Sequence, residues 1–196
     1  MSFTYEIKNN DCLKEIEKMK ENSVDIIITD PPYEINYSVE KWDNTGLLLQ
    51  SETHKKFLKV LKPGGVMLMF GHSRMFHRGA VAIEDAGFVL RDTVLWMYSN
   101  GFPKSQDISG LIVKNKHLDI QKKTLLQNQW QGWKTIRFKP AFEPIIVAQK
   151  PLQGGYVFNI LNWNGGAMNI EKQELKVLIV LIVFLVMSLL MSPMKY

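Results

Sequence analysis

The sequence predicts an α/β domain built on a mostly parallel sheet. Three observations carry that expectation. Stretches with helical periodicity alternate with short, unbroken apolar runs. The runs "VDIIIT" and "VMLMFG" show no polar alternation, the pattern of strands buried on both faces. Two such runs end in stretches unsuited to helix or strand, "DPPY" at 30–33 and "GHSR" at 71–74. In α/β sheets, ligands gather at these carboxyl ends of strands.

The elements follow in order. "DCLKEIEKM" (11–19) has apolar residues at 13, 16 and 19 and an aspartate placed to cap, so it reads as a short amphipathic helix. "NSVDIIIT" (22–29) is a buried strand. "ETHKKFLKVL" (52–61) is a helix with Phe57, Leu58, Val60 and Leu61 turned inward, and "KPGG" (62–65) stops it. "VMLMFG" (66–71) is a second buried strand. "SRMFHRGAVAIEDAG" (73–87) is a helix with Phe76, Ala80 and Ile83 on one face. "FVLRDTVLWMY" (88–98) is a long strand, "SNGFPKS" (99–105) a loop and "FEPIIVAQ" (142–149) a further strand. Residues 115–140 are basic and weakly periodic, with Trp130, Trp133 and Phe138 interleaved, and read as a long insertion or loop.

A chain of 196 residues suits one domain with a real core, and 46% hydrophobic with 22% charged residues excludes a disordered class. The single cysteine, Cys12, can form no internal disulfide, and no CxxC pair suggests zinc. The opening "MSFTYEIKNNDC" has no apolar core and is no signal peptide, so a cytoplasmic protein is expected. His54, His72, His77 and His117 form no metal spacing and read as surface or cap residues. Residues 1–50 hold 5 Lys/Arg against 10 Asp/Glu, while residues 51–150 hold 16 against 7. The basic middle suits a polyanion-binding surface, or simply a solvated face.

"DPPY" carries the chemistry. Two prolines donate no backbone hydrogen bond and forbid helix, and each pushes its predecessor to an extended shape. The turn therefore presents one carboxylate, bare carbonyls and one ring. That set suits a planar aromatic amine. Asp30 and the Pro31 carbonyl can each accept one amine hydrogen, which keeps the nitrogen lone pair available, and Tyr33 can stack on the ring. The plain alternative is a capped strand end.

Taken with its neighbours, the motif resembles the amino-methylating DNA methyltransferases, which carry [DNS]-P-P-[YFW] at a strand end. The similarity is to the subgroup with DPPY near the N-terminus, carried by phages and restriction systems. It covers roughly residues 5–170 through "NNDCLKEI", "SVDIIITDPPY", "KWDNTG", "VLKPGGVMLMFGHSR", "IEDAGFVLRDTVLWMYSNGFPKS", "GWKTIRFKPAFEPIIVAQKPL" and "NWNGGAMNI". The resemblance implies a Rossmann-like sheet, S-adenosylmethionine as cofactor and DNA as partner. It implies that Asp30, Pro31, Pro32 and Tyr33 grip a flipped base. Asp11, Cys12 and Asp30 would meet the cofactor, although Cys12 fits equally well as a small buried hydrophobe. Phe70 and Gly71 would line the base pocket or pack in the core. Lys104 would meet a phosphate from a loop over the site, or belong to an ordinary Gly-Pro turn. Lys62 to Gly65 would shape the sheet edge by the cofactor or simply stop a helix. An aspartate first in the motif favours adenine over cytosine. The basic stretch 114–139 would approach DNA phosphates.

The chain departs from that family after residue 170. A glycine-rich F-x-G-x-G turn is expected there, and neither "GG" at 154–155 nor that at 165–166 has the required Phe. Instead, Val177 to Met191 is apolar except for Ser188, too short to span a bilayer at about 20 residues. Membrane attachment is not expected. The domain is therefore read as 1–170, incomplete in its cofactor part, with 171–196 an anomalous apolar tail. A reading-frame break near 171–175 accounts for the change, and helical packing against the sheet is the alternative. Four functions stay open: an active DNA adenine methyltransferase, a non-catalytic remnant with DNA affinity, a methyltransferase for cytosine, RNA or protein amines, and a membrane-anchored protein.

Overall fold

The computed structural model describes residues 4–36, 41–100, 105–137, 141–169 and 180–183. Six α-helices and five strands lie along the described chain. They are α1 (Cys12–Lys18), β1 (Val24–Thr29), α2 (Ser51–Val60), β2 (Leu61–Phe70), α3 (Phe76–Asp85), β3 (Val89–Met97), α4 (Ile108–Lys114), α5 (Ile120–Gln129), β4 (Phe142–Gln149), α6 (Tyr156–Trp163) and β5 (Val180–Val183). The strands form one sheet in the order β3-β4-β2-β1-β5. β1 runs parallel to both β2 and β5, and β4 runs antiparallel to β2. The class is α/β, as expected, with a mixed sheet. Two compact units divide the chain: residues 1–96 with 143–196, and residues 97–142.

The first unit holds the core. Ile16 of α1, Phe57 and Val60 of α2 and Ile83 of α3 pack with Ile27, Met67 and Ile146 of the sheet. Each is close to fully buried, and a large aliphatic or aromatic side chain gains about 1.5–3 kcal/mol by leaving water. Asp11 starts α1 as foreseen, with Oδ1 accepting from Leu13 N at 2.9 Å and Lys14 N at 3.1 Å.

Lys62–Gly65 do more than stop a helix. Between the pairs Val24–Leu61 and Ile26–Val66, β1 advances two residues and β2 advances five. "KPGG" is thus a bulge, which tolerates a proline without an N–H and a Gly64 at φ 78°. The bulge locks against a second glycine pair. A Cβ on Gly64 would lie 2.6 Å from Gly166 Cα and 2.8 Å from Asn159 Nδ2. Fully buried Asn159 donates to Pro63 O at 3.0 Å and Gly165 O at 2.8 Å. Gln149 donates to Gly64 O at 2.9 Å and accepts from Arg91 Nε at 2.8 Å.

β3 forms within the expected strand and lies at one end of the strand order, with Val94, Leu95, Trp96 and Met97 exposed. Three expectations need correction. Residues 115–140 are not a plain loop, because they contain α5 and follow α4 directly. Asp107 caps α4 by accepting from Gly110 N at 2.8 Å, and Asp119 caps α5 by accepting from Lys122 N at 2.7 Å. Within this second unit, Tyr98 N donates to Ala141 O at 2.7 Å, so its two ends meet. His54 is not a surface residue but is fully buried. Finally, the tail read as lying outside the domain contributes Val180–Val183 to the sheet, in register with Ile26–Thr29. Its uncharged, β-branched composition suits a strand better than the helix considered as an alternative. α6 was not anticipated. Lys104 and Phe138 lie outside the described residues.

Candidate active site

The site begins where β1 ends. Thr29 is buried, Asp30 emerges into solvent, Pro31 is buried, and Pro32 and Tyr33 are half-buried. Tyr33 Oη donates to Asp30 Oδ1 at 2.8 Å, so the ring and the carboxylate of the motif are already linked. Phe70 ends the neighbouring parallel strand, and Gly71 follows it, with its N–H donating to Pro144 O at 2.9 Å. A Cβ on Gly71 would sit 3.3 Å from Phe76 Cβ, so glycine keeps α3 close.

Between these two strand ends opens a small pocket that merges with solvent. Pro32, Tyr33, Phe70 and Gly71 line it, as does His72, whose ring centroid is 6.3 Å from that of Tyr33 at 49°. The structure therefore brings together four of the residues singled out from sequence. Asp30 does not line this pocket directly and reaches its wall through Tyr33.

Two residues escaped the sequence reading. Glu34 has φ 55°, unusual for a side-chain-bearing residue, and is 8% exposed. Its Oε1 accepts from Thr45 Oγ1 at 2.8 Å, while Oε2 is buried without a hydrogen-bond partner among the described residues. Buried carboxylate oxygens are costly unless paired, and Glu34 lines the pocket. Only its place beside the motif could have flagged it. The second is His54. Its Nε2 lies 2.8 Å from the carbonyl of Leu48, another pocket residue, and burial lowers its pKa below the usual 6.5. A neutral ring donating from Nε2 fixes the short turn Leu47–Leu49 that forms one wall.

The other candidates lie apart. Asp11 serves as the α1 cap. Cys12 packs against the core, and burial, reinforced by the neighbouring Asp11 charge, pushes its thiol up to about 11. Neither lines the pocket. Lys62 pairs with Asp25 at 2.7 Å near the amino ends of β1 and β2, the opposite end of these strands from DPPY. Among the described residues no group of three or more His, Cys, Asp or Glu could hold a metal ion. No described helix is long and apolar enough to cross a membrane.

A family model described as DNA methylase matches residues 24–178. The chain belongs to that family. The type II methyltransferase M.HindIII of Haemophilus influenzae is 30% identical over 206 residues, covering 83% of this chain and 64% of that protein. M.HpaI of Haemophilus parainfluenzae is 28% identical over 106 residues, covering 51% of this chain and 34% of that protein. The chain thus spans less than two thirds of the length of these DNA methylase relatives. Similar solved structures include M1.HpyAVI, 19% identical with a TM-score of 0.43, covering 89% of this chain and 64% of that one. Another is the cytosine-N4-specific PvuII DNA methyltransferase, 18% identical with a TM-score of 0.44, covering 86% and 57%.

Proposed function

We propose that this DNA methylase chain captures a flipped adenine of duplex DNA and prepares its exocyclic amine for methylation, with S-adenosylmethionine as the methyl donor. One observation supports this above the others: an aromatic-walled pocket at the carboxyl ends of two parallel strands, with Tyr33 in its wall and Asp30 tied to that ring. Tyr33 stacks on the base. Asp30 exchanges the Tyr33 hydroxyl for an amine hydrogen, and the Pro31 carbonyl accepts the other. Negative charge at Asp30 then faces the nitrogen as it becomes positive, which is electrostatic preorganisation. The target must leave the helix because its amine is paired inside the duplex, at a cost of a few kcal/mol. Asp30 as the first motif residue favours adenine over cytosine.

The donor side fits less well. Close approach of backbone to a cofactor calls for glycine. Gly64 and Gly166 are consumed by packing against each other, and β5, beside β1, leads into residues 184–196, which contain no glycine. Asp11 Oδ1 is engaged in capping. The described residues do not make a complete cofactor site. That favours a second reading for these 196 residues, base capture without transfer.

Duplex DNA carrying 2-aminopurine at candidate sites, together with tritiated S-adenosylmethionine, tests both readings. A fluorescence rise that Tyr33→Ala abolishes supports capture, and label recovered as N6-methyladenine supports transfer. Label recovered as N4-methylcytosine would move the target to cytosine. Neither signal on any duplex would overturn the proposal.

A further inference from the structure

Glu34, directly after DPPY, is 8% exposed and lines the pocket at the strand ends. Its φ of 55° lies in the left-handed region, a cost that an ordinary turn avoids with glycine. Thr45 holds the side chain in place. The Thr45 hydroxyl donates to Glu34 Oε1 at 2.8 Å, and Thr45 Oγ1 accepts from Leu47 N at 3.3 Å, where the Leu47–Leu49 wall begins. One carboxylate oxygen is thereby pinned to the wall. The other, Oε2, is buried without a hydrogen-bond partner among the described residues. Glu34 joins no ion pair among them either.

The other polar side chains of the pocket are engaged differently. Tyr33 Oη donates to Asp30 Oδ1, and His72 Nδ1 accepts from Arg74 N at 3.2 Å. Leu48, Met69, Phe70 and Phe76 add apolar surface. In such surroundings a hydrogen bond is stronger than in water, and a polar atom without one is costly. A carboxylate oxygen accepts and does not donate. The pocket therefore offers an acceptor to an entering N–H while Asp30 is still occupied by Tyr33. A carbonyl oxygen in the same place would face a second acceptor and be repelled.

We propose that Glu34 is a specificity-determining residue: its Oε2 accepts an amine hydrogen of the entering base, and so admits bases with an exocyclic amine over those with a carbonyl there. Glu34 holds the amine on entry, and Asp30 receives it once Tyr33 lets go. That a base is the occupant rests on the proposed function. That Glu34 meets its amine rests on the orphaned oxygen and on the Thr45 brace.

The test uses the full 196-residue chain and fluorescein-labelled duplexes with one unpaired base: adenine, purine, which lacks the amine, or hypoxanthine, which has a carbonyl in its place. The parent should bind the adenine duplex at least about tenfold tighter than either of the others. In Glu34→Gln the Thr45 hydroxyl keeps the amide oxygen on its own side, so the new N–H donor faces the pocket. The lead of adenine over hypoxanthine should then vanish or reverse. General damage to the fold would weaken all three duplexes alike and leave their order unchanged, and circular dichroism confirms that the variants fold. A parent that binds purine as well as adenine would overturn the proposal, as would an adenine lead that survives Glu34→Gln. Tyr33→Ala separates this proposal from base capture itself. If it weakens all three duplexes while the parent shows no adenine lead, the DPPY pocket stands and the role of Glu34 falls. If it changes nothing while Glu34→Gln erases the lead, stacking on Tyr33 fails and the Glu34 acceptor survives.

Discussion

The Tyr33–Asp30 hydrogen bond sets what single substitutions should do at the motif. The carboxylate is occupied before substrate arrives, so the incoming amine replaces a partner rather than filling a gap. In a chain completed with a glycine-rich cofactor region, Asp30→Ala should lower methyl transfer roughly 100- to 1,000-fold while leaving salt-dependent DNA binding intact. Near-parental incorporation of tritiated methyl would reduce DPPY to a strand end. Tyr33→Ala should cost base capture about 1–3 kcal/mol, read from 2-aminopurine fluorescence, and Tyr33→Phe should be mild. Cys12 makes a separate prediction. With its thiol pushed up to about 11, little thiolate exists at pH 8, so a disulfide reagent should label the folded chain far more slowly than the unfolded one. Equal rates would show an open, reactive thiol. The position of DPPY was legible because two prolines leave the chain few local shapes. Glu34 was not, because its partner Thr45 lies eleven residues on and only the fold brings the two together.

Elements were readable where their pattern was local. "FEPIIVAQ" became β4 at the expected residues, since a continuous apolar run has one natural use in an α/β sheet. α5 was hidden because its apolar residues share no face: it buries nothing and depends on its cap. β3 formed where expected, although its composition says nothing about having a neighbour on only one side. The bulge in β2 depends on two glycines and one asparagine from distant segments. Gly64→Ala should therefore be strongly destabilising, at several kcal/mol, because the new methyl meets backbone at 2.6 Å. An unchanged midpoint in urea would mean that the bulge relaxes. His54 adds a pH dependence between α2 and the pocket wall. Its pKa is lowered in the folded state, so acid protonates the unfolded chain first. Its share of stability is full above about pH 6.5 and declines as the pH falls below that value. His54→Gln keeps a donor for Leu48 and should remove that part of the acid sensitivity in melts at pH 7.5 and 5.5.

For the molecule as a whole, the apolar tail changes meaning once four of its residues join the sheet. Deleting residues 172–196 would uncover the β1 edge along Ile26–Thr29, an unpaired row that invites another chain. The truncated protein should melt earlier and self-associate in light scattering. A gain in soluble monomer at an unchanged melting temperature would show that the strand is dispensable. The Tyr98–Ala141 hydrogen bond has a wider consequence. It closes the neck of residues 97–142 where β3 gives way to β4, two strands that are neighbours in the sheet. A segment whose two ends meet in this way behaves as a cassette. Recombination could exchange it for another sequence of any length without moving the strands that carry the pocket. Lineages sharing this sheet could then acquire new binding preferences by swapping one interval of the gene, while the chemistry at the strand ends is inherited unaltered.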